Sequence, residues 1–388
     1  MNVLYSFDSK NTLDVANIKT HSVFNDDVFL SANPEKDEIC EFLTVFKKDT
    51  SFIPNKYLSL KNTLSLTYDE TFLSMPKETV KKSVENITQS LAETLSIFEN
   101  EEYLLTFLCM KRFVRSLSRP SIDKVGLINT INSQKHEAVS NKLKHFLPDN
   151  EGLAEKTVYS FTGTTTGRLT VSSGPDILTT KSSVRKCFVS RFRGGKILQI
   201  DLSAAEPNIA LRVAGKETLD DVYGTLSNEV FQGRITRKEA KLITLCALYG
   251  QSPKNLKEKL PEDISPGLVI QKTKDYLDVN NLYSVLRKRL LSKNLRNILG
   301  RPIYLDTTDQ RLLLSYYLQS SAAELSILLF SEWAKNNERD SMPLYVVHDA
   351  LIVDCSKSLS EKLLSKKEIV LSLGDWSFVA KVSDCAYN

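Results

Sequence analysis

Lys196-Ile197-Leu198-Gln199-Ile200-Asp201-Leu202 is a short apolar run with a carboxylate at its end, followed by Ser203-Ala204-Ala205-Glu206. Its length and aliphatic content read as a buried strand. A matching pattern occurs further on. Leu344-Tyr345-Val346-Val347 and Leu351-Ile352-Val353 flank His348-Asp349, which reads as a hairpin with a carboxylate at its tight bend. If the strands are neighbours, Asp201 and Asp349 converge, and converging carboxylates suit Mg²⁺, which takes a few carboxylates plus phosphate oxygens and water. Two unrelated turn aspartates give the same pattern, and spacing alone does not bring these two together.

Between these strands, Thr236 and Glu239 have capping-box spacing, so a helix is predicted from Arg237, and Gly250 is well placed to end it. Arg237, Lys241, Leu245 and Tyr249 share roughly one face of that helix. Two cations a turn apart suit a polyphosphate, the arginine as a fork and the lysine as a point charge. A solvated basic face is the ordinary alternative. Residues 203–335 read as largely helical, with breaks at Pro261, Pro266 and Gly300-Arg301-Pro302, and Trp376–Val382 reads as a last strand. Thr162-Gly163-Thr164-Thr165-Thr166-Gly167-Arg168 is small, polar and loop-like.

Upstream, residues 1–75 carry no motif. From Pro76, Val80, Val84, Ile87, Leu91, Leu95 and Phe98 recur at helical steps. A second helix is predicted over Tyr103–Leu117, bearing Lys111, Arg112 and Arg115, and a polar, basic stretch follows to about His145. This reads as a helical hairpin with solvated cations, or as an arm that grips a phosphate backbone.

The chain has 388 residues, too long for one ordinary core, so two or three substructures are expected. Hydrophobic residues make up 41% and charged residues 25%, an ordinary globular composition. A net charge of +4 is compatible with nucleic acid without requiring it. Cysteines 40, 109, 187, 246, 355 and 385 stand singly, away from zinc-ligand spacing, and Asp8 interrupts any apolar leader. No apolar run reads as a membrane span. The expectation is a reduced, cytoplasmic protein without membrane contact.

Taken together, the motifs resemble those of the family A DNA polymerases, typified by bacterial DNA polymerase I. Asp201-Leu202-Ser203-Ala204-Ala205-Glu206 resembles motif A, Arg237-x-x-x-Lys241 with Tyr249-Gly250 resembles motif B, and Val347-His348-Asp349 resembles motif C. Thr166-Gly167-Arg168-Leu169 resembles the TGRL segment, Gln319-Ser320-Ser321-Ala322-Ala323-Glu324 the QGTAAD helix, and Trp376–Val382 the closing strand. The order is the family's, over about residues 76–388.

The resemblance implies an α+β right hand: a palm with a small antiparallel sheet, helical fingers at about 215–300 within a palm-and-fingers region 161–388, and a helical thumb at 76–160. It implies dNTP addition to a primer 3′-hydroxyl, with two Mg²⁺ ions (Mn²⁺ as a substitute) on Asp201, Asp349 and the Leu202 carbonyl. Arg237 and Lys241 would grip the triphosphate, with Lys241 able to protonate the leaving pyrophosphate. Leu245 would pack on the nucleotide. Glu206, beside Tyr249, would exclude a 2′-hydroxyl. Arg168, Arg311, Gln319 and His348 would contact primer–template DNA near the growing end, and Lys111, Arg112 and Arg115 would meet phosphates on the thumb.

Departures from the pattern mark a divergent, phage- or virus-like member, for which the cytoplasm is the host cell's. Ala350 stands where Glu is usual, Leu245 where an aromatic is usual, Cys246 where Gly is usual, Pro207-Asn208 where Leu-Arg is usual, and Ser315 where Asn is usual. A proofreading domain needs roughly 180 residues, which residues 1–75 do not supply, so a separate exonuclease or processivity subunit is an expected partner. Two alternatives remain at this point. A single-subunit RNA polymerase is disfavoured by Glu206, and an inactive DNA-binding homologue is suggested by Ala350 but disfavoured by the retained aspartates.

Overall fold

The computed structural model describes residues 103–250, 254–305 and 307–386, three strands near the N-terminus, and positions 41, 45, 59, 63, 64, 74–79 and 82. The chain divides into two compact units, Met1–Leu108 and Cys109–Asn388. In the first, β1 (Val3–Phe7), β2 (Thr20–Asn25) and β3 (Val28–Ser31) form an antiparallel sheet in the order β1-β2-β3. The helical positions predicted from Val80 to Phe98 lie outside the described residues.

The predicted second helix is α1 (Tyr103–Ser116). The polar stretch after it forms two helices. In α2 (Lys124–Asn132) the Asp123 side chain accepts from the Val125 N–H at 3.1 Å, capping the helix start, and α3 (Glu137–Lys144) follows. Two small antiparallel pairs flank them. β4 (Ser121–Ile122) pairs with β7 (Phe188–Val189), and β5 (Val158–Ser160) with β6 (Thr170–Ser173). The predicted polar loop is the connection between β5 and β6.

The core of the second unit is a five-stranded antiparallel sheet. Its strands are β8 (Lys196–Leu202), β9 (Ser341–Val347), β10 (Ala350–Cys355), β11 (Glu368–Leu373) and β12 (Trp376–Asp384), in the order β11-β12-β8-β10-β9. All six residues of β10 are buried, which is why the strand reads as continuous Leu351-Ile352-Val353 rather than as an alternation. The sheet brings together strands far apart in sequence, and β8 lies between β10 and β12.

Longer helices accompany this sheet, α4 (Ala205–Val213), α5 (Arg237–Tyr249), α6 (Pro266–Tyr276), α7 (Val279–Leu291), α8 (Gln310–Asn336) and α9 (Lys357–Lys366), of which α8 and α9 pack on its strands. The longest, α8, packs against β9, β11, α4, α5 and α7. By length and composition α8 would cross a bilayer, but 67% of its most apolar window is buried inside the protein. Interior serines 320, 321 and 326 and Glu324 interrupt its apolar surface, as suits a core helix.

Candidate active site

The register of the sheet decides where the carboxylates meet. Asp201 on β8 is the direct partner of Ala350 on β10 and of Lys381 on β12. The β9–β10 hairpin pairs Val347 with Ala350, leaving His348-Asp349 as a two-residue turn. His348 takes φ 55°, a left-handed conformation uncommon for a residue with a Cβ. The Leu202 N–H donates to the Asp349 carbonyl at 3.0 Å, so the turn is tied to the end of β8. Asp201 and Asp349 are thereby neighbours, and the Asp201 carboxyl is pushed up to about 6, first by burial and then by the Asp349 charge, against the pull of Lys241, Lys381 and Arg185.

After β8 the chain turns sharply. Ala204 adopts φ 51°, ψ 42°, and the Asn208 N–H donates back to its carbonyl at 3.1 Å, starting α4 with Glu206 in the first turn. Arg168, at the end of the β5–β6 loop, donates to Glu206 Oε1 at 3.2 Å. Burial raises the Glu206 carboxyl, while Tyr249 and Arg168 oppose that rise. The Tyr249 hydroxyl is buried without a hydrogen-bond partner at ordinary distance, and burial and the Glu206 charge push it far up.

The loop that carries Arg168 is anchored from below. Buried Arg301 donates to Glu324 Oε1 on α8 at 3.0 Å and to the Phe161 carbonyl at 3.1 Å, while Asn297 donates to Glu324 Oε2 at 2.8 Å. A Cβ at Gly167, where φ is 71°, would fall 2.8 Å from the Arg301 guanidinium carbon, so glycine is needed there for space as well as for conformation.

The helix bearing the basic face begins and ends as predicted. The Thr236 N–H donates to Glu239 Oε2 at 2.7 Å, and the Glu239 N–H donates to Thr236 Oγ1 at 3.3 Å, a complete capping box. Gly250 ends α5 at φ 66°, and a Cβ there would fall 2.2 Å from the Arg311 side chain. Arg237 Nε donates to Asp221 at 2.9 Å and its guanidinium lies 5.5 Å from the Tyr223 ring centre, with the Lys241 ammonium 6.0 Å from the same ring. Burial opposes ionisation of Asp221, but the Arg237 hydrogen bond, the Gly224 N–H and the charges of Arg237 and Lys381 together outweigh it and hold that carboxyl below its usual range.

These groups line one cleft of about 620 Å³. Of the sequence-predicted residues, Asp201, Leu202, Glu206, Arg237, Lys241, Leu245, Arg168, Gln319, His348 and Asp349 line it. Tyr249 backs Glu206 from outside the lining. The carboxylate pair and the phosphate-sized basic face therefore open onto the same space.

The model of DNA polymerase family A matches residues 74–373. The chain belongs to this family. Among solved structures it is similar to the POL domain of Pol1 from M. smegmatis, in complex with DNA primer-template and dNTP. The TM-score is 0.56 at 16% identity, covering 85% of this chain and 77% of that one. Comparison with curated proteins gives no match. By family the protein is a DNA-directed DNA polymerase with the α+β polymerase fold.

Family A polymerases use divalent metals, and the donors present here suit one. Two carboxylates converge beside an open cleft, and no cluster of three or more His, Cys, Asp or Glu adds to them among the described residues. Hard oxygen donors few in number are what Mg²⁺ takes when substrate phosphates complete its shell.

Four expected DNA contacts lie outside the cleft lining. Arg311, at the start of α8, is held by Asp309 at 2.9 Å. Lys111 is corrected: it is buried, with its ammonium 5.4 Å from the Phe161 ring centre, so it packs beneath the surface instead of facing a phosphate. Arg115 is half-buried, whereas Arg112 is exposed. Sequence reasoning missed Asp221, Tyr223, Arg185 and Lys381. Only Lys381 lay in a recognised motif, the closing strand.

Proposed function

We propose that the cleft performs template-directed transfer of a deoxynucleotide from a dNTP to a primer 3′-hydroxyl. The observation that carries this reading is the convergence of Asp201 and Asp349 on a cleft that Arg237 and Lys241 also line. Asp201, Asp349 and the Leu202 carbonyl would hold two Mg²⁺ ions, which when bound supply a more acidic primer hydroxyl and charge to offset the departing pyrophosphate. Manganese fits the same donors.

The other residues bind and orient. Arg237 and Lys241 take the triphosphate, and Lys241 is placed to give a proton to the leaving pyrophosphate. For Arg237 this means exchanging the Asp221 carboxylate for a phosphate, a swap between two anionic partners. Leu245 packs on the nucleotide, and Glu206, held by Arg168, crowds the sugar 2′ position. Gln319, His348 and Arg168 take the minor-groove side of the primer–template, contacts that check pairing shape and not sequence. Arg311 would join them after leaving Asp309.

In this reading the five-stranded sheet belongs to the palm, residues about 215–300 form the fingers, and 76–160 form a thumb whose exposed Arg112 meets the backbone. The primer–template and dNTPs are its partners.

The test is extension of a primed DNA template with Mg²⁺, offering dNTPs or rNTPs separately. Extension with dNTPs alone supports the reading. Equal extension with rNTPs would favour an RNA polymerase, and tight primer–template binding with no extension would favour an inactive homologue.

A further inference from the structure

The β12–β8 register sets Lys381 directly opposite Asp201, on the flank away from Ala350 and Asp349. Side chains of directly opposed residues in an antiparallel pair emerge on the same face. Lys381 accordingly lines the cleft and is exposed there. On its other side it is the cross-strand partner of Glu368 on β11.

The surrounding charges show which part of the cleft it faces. Its ammonium acts on Asp201 and also on Asp221, the carboxylate that holds Arg237. Glu368 in turn acts on Arg237. Lys381 thus lines the cleft opposite Asp201 in register and within electrostatic reach of Asp221, the partner of Arg237. Arg237 is held by Asp221, and Lys241 lies over Tyr223, whereas no hydrogen bond or ion pair holds Lys381 among the described residues.

We propose that Lys381 is a triphosphate-binding residue, a third cation that engages the incoming nucleotide from the sheet side while Arg237 and Lys241 engage it from the fingers helix. The inference rests on the polymerase reading and deepens it. Lys381 sits on a sheet strand and Arg237 and Lys241 on α5, so the two groups of cations reach the phosphates from separate elements. That assigns Lys381 to nucleotide affinity, not to the chemical step.

The experiment measures equilibrium binding of the template-complementary dNTP to the protein–primer–template complex, with a dideoxy-terminated primer and Ca²⁺ so that no bond forms. The wild type, Lys381→Met and Lys381→Arg are compared, each with the dNTP and with the corresponding dNMP. Lys381→Met is expected to weaken dNTP binding about tenfold, the scale of one lost charge-assisted contact, and to leave dNMP and primer–template binding unchanged. Lys381→Arg is expected to stay within about twofold of wild type, since it keeps the charge. Equal dNTP affinity in the wild type and Lys381→Met would overturn this inference alone, as would an equal loss for dNTP and dNMP. Absence of templated dNTP binding in the wild type would overturn the polymerase reading and this inference with it.

Discussion

In the proposed reading, sugar selection rests on Glu206. Arg168 donates to its carboxylate at 3.2 Å and the Tyr249 side chain lies beside it, so the carboxylate stands as a wall of the cleft. Removing that wall by Glu206→Ala is expected to raise rNTP use relative to dNTP use about tenfold to a hundredfold, measured by single-nucleotide extension. Asp201 carries the opposite kind of cost. Its folded value of about 6 exceeds that of an ordinary carboxyl, so between pH 4 and 6 the native state binds more protons than the unfolded chain. By linkage, stability falls as pH rises through that window and stays reduced above it. In EDTA, Asp201→Asn is therefore expected to be more stable than the wild type at pH 7.5, by on the order of 1–2 kcal/mol, with the difference vanishing below about pH 4. Urea melts at the two pH values check the sign.

At the scale of elements, α5 and the α8 anchor are held by different means. The capping box of α5 is exposed and local, so Thr236→Ala is expected to cost about 1 kcal/mol. The Arg301–Glu324 pair is buried and leaves a lone charge when broken, so Glu324→Gln is expected to cost roughly 3 kcal/mol or more in denaturant melts and to loosen the loop that delivers Arg168. The two cases also show what was legible in the sequence. Start and stop of α5 were readable because Thr236, Glu239 and Gly250 act on their own neighbours. The β9–β10 hairpin was readable for the same reason, through the short gap between two apolar runs. Lys381, Asp221 and Tyr223 were not readable, because Lys381 reaches the site through strand register with distant Asp201, and Asp221 and Tyr223 through packing against α5. Lys111 was misread because its place on a basic stretch does not reveal what lies over it, here the Phe161 ring. β11 escaped notice as an edge strand with exposed Val370, which has no fully buried apolar pattern to mark it.

For the whole molecule, the mild net charge of +4 conceals the exposed cations Arg112, Arg168 and Arg311, which the polymerase reading sets against DNA phosphates. Primer–template affinity is accordingly expected to fall steeply with salt, log K against log[salt] being linear with a negative slope, as read by fluorescence anisotropy. The central claim is that Asp201 and Asp349 together form the centre for nucleotidyl transfer. It is tested most directly by primer extension with Mg²⁺ and dNTPs, comparing wild type and Asp349→Asn at matched primer–template occupancy. The expected result is extension by the wild type and at least a thousandfold loss, about 4 kcal/mol of barrier, in the variant, with primer–template binding retained. Extension by Asp349→Asn at a rate near that of wild type would contradict the account.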